Sequence, residues 1–264
     1  MEKNINPVVQ EVIEKFDTVY TMVSSFVDNR YSALKGLLIS GDAGTGKTHW
    51  VKKAFIDTNS TEDVYYAKAS SISAAALYVI LYQYRHKGKV VVLDDCDIIY
   101  KAPAEKNAIL DMLKGVTEIT KGDRPISWVR ASSNQLIRDN NVPNNFNFEG
   151  SIIWITNDTI EDIAKKAKNH WNAISSRFNQ IKVYLNTQEK LLYTLYLIEE
   201  CGMLGQNCEG KEGGYPLSVQ SDTIEYIREN YKFLTEITPR LATKIADIRF
   251  NYPSNWKTLV NNQI

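Results

Sequence analysis

The sequence predicts an α/β protein, a parallel five-stranded sheet with helices on both faces, followed by a small C-terminal helical lid. Three observations predict it. Short apolar runs alternate with segments of helical periodicity through the first two thirds of the chain. The strands stop at about residue 187. Beyond that point "TQEKLLYTLYLIEEC", "SDTIEYIRENYKFL" and "TPRLATKIADIRF" read as three helices. Strands that alternate with helices need crossover connections, and crossovers give a parallel sheet covered on both sides. The expected division is a core over residues 1–186 and a lid over 187–264.

The elements follow in order. Residues 7–28 carry Val8, Val12, Phe16, Val19, Val23 and Phe26 at helical spacing, with Pro7 suited to a first turn. "LKGLLISG" is a short buried strand that runs into a glycine turn and a helix, "DAGTGKTHWVKKAF". "DVYYAKAS" is a second strand, "SAAALYVILYQYRH" a helix, "KVVVLDDCD" a third strand and "AEKNAILDMLKGVTEI" a helix. An irregular insertion at about 119–150 follows, with Pro125, Pro143 and several asparagines. "SIIWITND" is the fourth strand. "TIEDIAKKAKNHWNAISSRF" is one helix, with Asp158 and Glu161 at capping-box spacing, and "QIKVYL" is the fifth strand.

Composition narrows the function classes. The 264 residues can bury a sizeable core. Lysine plus arginine (31) equals aspartate plus glutamate (31), so there is no overall basic field for nucleic acid, and any such contact would be local. Three cysteines without a CxxC pair and three scattered histidines give neither a disulfide framework nor zinc spacing. The first residues lack an apolar signal core, and no run reaches the length of a membrane span. A cytoplasmic protein with no membrane partner is expected.

"GDAGTGKT", residues 41–48, matches G-x-x-x-x-G-K-[ST] in full. Gly41, Gly44 and Gly46 let the backbone turn tightly. The N–H groups across Gly41, Asp42, Ala43, Gly44, Thr45 and Gly46, with the helix N-terminus, then bind phosphate. Lys47 reaches the β- and γ-phosphates, and the Thr48 hydroxyl ligates Mg²⁺. By composition alone the four fixed positions coincide in roughly one chain in a hundred of this length. Here a strand precedes and a helix follows, which an accidental turn would not supply. Some 45 residues on, "VVVLDDCD" ends a strand in carboxylates; Asp94 is the expected metal carboxylate, so ATP and Mg²⁺ are the expected cofactors.

With these motifs the chain resembles the AAA+ ATPases of the P-loop NTPase class, over residues 36–250. "VVVLDDCD" resembles the D-E-x-D box of clamp loaders and related replication ATPases, and "AEKNAILDMLKG" the helix after it. The resemblance implies that Asp95, one methylene shorter than the usual glutamate, positions and deprotonates the attacking water. Asp97 stands as the last acid of the box or as a solvated turn residue. Asn157, at the end of "SIIWITND", stands where the family has sensor 1. Arg177 in "AISSRFNQI" stands as an arginine finger acting in the site of an adjacent subunit, which implies self-assembly into a ring or partial ring. Arg240 in "TEITPRLATK" stands in the sensor 2 helix, with Thr238 as N-cap and Pro239 as first residue. Against these roles stand blander ones: a turn-capping asparagine, a surface arginine on a basic helix, and an ordinary first-turn arginine.

The biological task is less legible. Only about 35 residues precede the first strand, too few for a separate recognition domain. "AKASSISAAAL" lacks the aromatic-hydrophobic-glycine pore loop of protein unfoldases. The insertion carries Lys121, Arg124, Trp128, Arg130 and Arg138, which suit phosphate contact and base stacking but also suit a polar β-hairpin that completes the fold or an interface. "VPNNFNFEGSIIWITN" resembles a pattern in phage- and plasmid-encoded AAA+ proteins. The expected function is an oligomeric ATPase that remodels DNA or a DNA-bound protein assembly, as a loader or motor subunit. The alternatives are a structural subunit that binds nucleotide with little hydrolysis, which Asp95 keeps open, and a P-loop kinase or GTPase. The GTPase lacks its N-K-x-D motif, and a kinase has no expected need for Asn157, Arg177 and Arg240.

Overall fold

The computed structural model describes residues 5–27, 35–68, 72–119, 124–128 and 134–263. The chain divides into two compact units. One comprises Phe16–Asp42 and Lys47–Val183. The other comprises Tyr184–Ile264, the chain up to Lys15 and the short piece Ala43–Gly46.

In chain order the first part holds α1 (Pro7–Val27), β1 (Gly36–Gly41), α2 (Lys47–Asp57), β2 (Val64–Lys68), α3 (Ala74–Gln83), β3 (Val90–Asp94) and α4 (Pro103–Val116). After these come β4 (Pro125–Ser127), α5 (Gln135–Asp139), β5 (Asn145–Asn147), β6 (Ser151–Thr156), α6 (Ile160–Ala167), α7 (Trp171–Arg177) and β7 (Phe178–Val183). Five strands pair in parallel in the order β2-β3-β6-β1-β7. β1, from which the glycine loop departs, is thus central and buried along its length.

Side-chain alternation decides what each face meets. Leu38, Ala67, Val91, Leu93, Ile152 and Trp154 pack with buried residues of α3, α4, α6 and α7. The opposite parity, Leu37, Ile39, Val90, Val92, Ile153 and Ile155, is also buried. On that side the Tyr66 ring meets Phe55 of α2 edge-on, with centroids 6.1 Å apart. Helices therefore cover both faces, and the unit has the P-loop NTPase fold.

The irregular stretch contributes to this core. β4 and β5 pair antiparallel, with Ile126 opposite Phe146. Ile126, Phe146 and Phe148 are buried in the cluster with α3 and α4. Tyr78 of α3 packs on Trp128 at 5.3 Å and on Phe146 at 5.0 Å, and its hydroxyl donates to Pro143 O at 2.8 Å. Arg124 donates to Val116 O at 2.8 Å. Arg124 and Trp128 are thus used in completing the fold. Arg138 is exposed on α5, and Lys121 and Arg130 lie outside the described residues.

Two local expectations are corrected. The single helix expected over 159–178 is broken: α6 ends at Ala167, Lys168 takes a left-handed φ of 49°, and a 3-10 turn leads into α7. The apolar period continues across the break because Ile163, Ala167 and Ile174 all enter one cluster. The cap of α6 is Thr159, whose hydroxyl accepts the Asp162 N–H at 3.0 Å, rather than Asp158. Asp158 is occupied elsewhere: its carboxylate accepts from the hydroxyls of Thr156 and Tyr100.

Among the described residues, the chain from Tyr184 onward forms four helices where three were expected: α8 (Thr187–Glu199), α9 (Leu217–Asn230), α10 (Pro239–Asn251) and α11 (Trp256–Asn261). Ile198, Val219, Ile227, Ile245 and Trp256 share its core. α11 has six residues, too few for a periodic signal, and Trp256 and Val260 anchor it by burial. α8 opens with a full capping box, Asn186 with Glu189.

Gly150 lets the chain enter β6 close to the turn after α3. A Cβ there would lie 2.7 Å from Tyr84 O and 2.9 Å from Lys89 O, both backbone atoms that cannot swing aside. Gly150→Ala should destabilise the protein by about 1–3 kcal/mol, read as a lower urea midpoint.

Candidate functional site

The glycine loop leaves β1 and closes on the start of α2. Gly44 and Gly46 take φ of 71° and 107°, the region that residues with a Cβ enter at a cost. Gly41 serves differently: a Cβ there would lie 2.1 Å from Val183 O of β7. The turn delivers Lys47 to a buried position, 5% exposed. Its ammonium donates to Gly41 O at 2.8 Å, Asp42 O at 2.7 Å and Asn157 Oδ1 at 2.9 Å. Three acceptors offset the desolvation of the buried cation.

Register brings the other groups to the same edge. In β3, Asp94 lies level with Ile155 of β6, and Ser40 of β1 lies level with Thr156. Asn157 is therefore one residue past the sheet, beside the loop. Asp94 shares parity with Val90 and Val92, so its carboxylate faces α2, where Thr48 stands in the first turn. Thr48 Oγ1 donates toward Asp94 Oδ1 and Oδ2 at 3.1 and 3.0 Å. Asp94 is 6% exposed, and burial raises its pKa above the ordinary 3.8. The nearby Asp95 charge adds to that rise, while the Thr48 bond, Lys68 and Lys47 oppose it.

Past β3 the chain turns sharply. Asp95 and Asp97 have φ of 51° and 47°, a strained conformation that aspartate tolerates better than most residues. Asp95 remains exposed, its N–H donates to Ile155 O at 3.1 Å, and its Oδ1 accepts from Asn157 Nδ2 at 2.9 Å. Lys47, Asn157 and Asp95 thus form one hydrogen-bonded chain. Asp97 is exposed and caps no helix with its side chain, which matches the solvated reading of that residue.

The structure therefore brings together Gly41, Asp42, Lys47, Thr48, Asp94, Asp95 and Asn157. Arg177 stands apart. Phe178, the next residue, pairs with Gly36 at the opposite end of β1 from Gly41. Five strand residues separate those levels, about 17 Å at the usual rise, beyond the reach of an arginine side chain. Arg240 is exposed in the first turn of α10. In the helical unit, a Cβ on Gly44 would lie 3.1 Å from Thr238 Cγ2, so the N-cap of α10 neighbours that loop glycine.

Two contributors were missed in the sequence. Lys68 lies level with Asp94 on the neighbouring strand and favours its ionised form. Asp158 accepts Ser40 Oγ on its backbone oxygen and the Thr156 and Tyr100 hydroxyls on its carboxylate, and so ties down both neighbours of Asn157. Both depend on register and chain reversal, which no local motif encodes.

The donor set fits a hard divalent cation. Thr48 and Asp94 present a hydroxyl and a carboxylate side by side, and Mg²⁺ commonly takes one or two protein oxygens and completes its shell with phosphate and water. Among the described residues no group of three or more His, Cys, Asp or Glu could hold a metal by itself.

No family model matches the chain. An uncharacterised 36.7 kDa protein of Enterobacteria phage T4, encoded between nrdC and mobD, is 25% identical over 254 residues, 93% of this chain and 72% of that one. Among solved structures, the RuvB Holliday junction branch migration motor of Thermotoga maritima is 12% identical with a TM-score of 0.45, over 93% of this chain. NtrX of Brucella abortus, in complex with ATP, is 12% identical with a TM-score of 0.44, over 92% of this chain. The chain spans 63% of the RuvB chain's length and 59% of the NtrX chain's. Among the described residues no helix is long and apolar enough to cross a membrane.

Asp94→Asn should make the nucleotide-free protein more stable than the wild type near neutral pH. Because burial raises the Asp94 pKa, its ionisation weakens the fold as pH rises from 3.8 through the raised value. The advantage of the variant should therefore grow over that window and vanish below it, as urea melts at acidic and neutral pH would record.

Proposed function

We propose that this chain is an ATPase of the AAA+ type, binding ATP with Mg²⁺ and hydrolysing it to ADP and phosphate at a site completed by a second copy. The observation that carries this reading is the convergence at one sheet edge of a phosphate-type loop, the Thr48–Asp94 pair and the Lys47–Asn157–Asp95 chain.

The loop N–H groups and the N-terminus of α2 bind the phosphates. Lys47 exchanges at least one of its three acceptors for a γ-phosphate oxygen. Thr48 and Asp94 would hold Mg²⁺, which would supply positive charge to the bound phosphates. Asp95 accepts the proton of the attacking water, and Asn157, bonded to both Asp95 and Lys47, keeps water and γ-phosphate in line. Arg240 serves its own copy from the start of α10. Arg177 cannot reach its own site, which favours action in a neighbour's; such a residue is worth about 10³ to 10⁵ in rate. Copies then associate head to tail, as a ring or partial ring.

The substrate in this reading is DNA or a DNA-bound protein assembly, remodelled by a loader or motor subunit. It rests on the D-E-x-D style of the Asp94–Asp97 box. The T4 relative supports a phage setting. The insertion lends the DNA reading little, because Arg124 and Trp128 are engaged within the fold. Comparing ATPase rates with single-stranded DNA, duplex DNA and no nucleic acid tests it; equal rates would leave DNA without support.

Lys47→Ala should abolish ATP binding or turnover, measured by fluorescent-nucleotide titration and phosphate release. Wild-type protein that neither binds ATP nor turns it over would overturn the reading. Asp95→Ala and Arg177→Ala should each be inactive alone, while mixtures should recover hydrolysis where an intact site meets an intact Arg177. Mixtures that stay inactive would rule out action in trans.

A further inference from the structure

The Arg177 guanidinium is pinned within its own chain. Nε and Nη2 both donate to Glu118 Oε2, at 3.1 and 2.6 Å, and Nη1 donates to Ala173 O at 3.0 Å. Glu118 is itself held. Its Oε1 accepts the Ile119 N–H at 3.0 Å, and its own N–H donates to Gly115 O at 3.3 Å where α4 ends. Backbone and side chain together thus fix where this carboxylate points.

The pair is too exposed to matter much for stability. The Arg177 side chain is 25% exposed and that of Glu118 37%, and ion pairs in such surroundings contribute little. What a two-point contact to a fixed carboxylate does supply is direction. An arginine has five N–H bonds. Three are used among the described residues, which leaves two, one on each terminal nitrogen. Those two can meet an anionic oxygen while the Glu118 contact persists. The neighbouring Ile119 is 42% exposed, so an apolar side chain stands at the surface beside the pair.

We propose that Glu118 is a positioning residue: it holds Arg177 so that its remaining N–H groups face the phosphates bound by a second copy of this chain. The proposal rests on the reading of Arg177 as acting in trans. Glu118 does not touch the nucleotide, and its effect passes wholly through the guanidinium.

Glu118→Ala and Glu118→Gln protein should bind ATP as the wild type does and lose about 10- to 100-fold in hydrolysis, the scale of a misplaced reacting group. Each should be complemented by Asp95→Ala protein, whose own site is dead but whose Glu118–Arg177 pair is intact. Neither should be complemented by Arg177→Ala protein, which lacks the same function. A purely structural role for Glu118 would not sort it into the Arg177 class. If Arg177→Ala complements Asp95→Ala but both Glu118 variants hydrolyse ATP at the wild-type rate, the role of Glu118 is wrong and the trans reading stands. Lost activity that Asp95→Ala fails to restore, in the same setting, also overturns it. If Arg177→Ala itself is not complemented, the trans reading falls and takes this proposal with it.

Discussion

Parallel register is the constraint on which the rest depends. Strands that run the same way must end at the same edge, so whatever follows β1, β3 and β6 meets there. Asp94 is level with Ile155 and Ser40 with Thr156. These pairings place Lys47, Thr48, Asp94, Asp95 and Asn157 within hydrogen-bond distance across more than a hundred residues of chain. α2 and its amide dipoles point at the same spot, which makes the edge a natural anion site. A one-residue slip of β3 would turn Asp94 to the α4 face and separate it from Thr48.

The edge is costly to build. A buried lysine, a buried carboxylate and two aspartates in left-handed backbone all lie within it. Three of these are offset locally: Lys47 by three acceptors, Asp94 by the Thr48 hydroxyl and the Lys47 and Lys68 charges, Asp95 by Ile155 O and Asn157. A divalent cation would answer the Asp94 and Asp95 carboxylates from outside the chain, and a phosphate the Lys47 ammonium. The Asp158 bracket belongs to this scheme, since it holds the backbone on both sides of Asn157.

Legibility followed the range of the signal. The loop was readable because eight consecutive residues carry it, and the strand ending in Asp94 because an apolar run stops at a charge. The five strands were readable for the same reason. The cap of α6 was misassigned by one residue because Asp158 is claimed by Tyr100 and Thr156, partners that capping-box spacing cannot register. The break at Lys168 was hidden because the apolar period survives it. The insertion read either as a nucleic-acid surface or as a β-hairpin that completes the fold, and packing on Tyr78 and the bond to the end of α4 put Trp128 and Arg124 in the second role.

By itself the sequence determined the fold class and where a glycine turn and a strand ending in carboxylates lie along the chain, because turn geometry, strand periodicity and residue chemistry are local properties. Only the tertiary structure decided which groups meet. Register and side-chain parity set Asp94 on Thr48, joined Lys47 to Asp95 through Asn157, and put Arg177 at the far end of the sheet on Glu118. Those contacts depend on how distant segments align, and alignment is fixed by the packing of the whole core rather than by any stretch of chain.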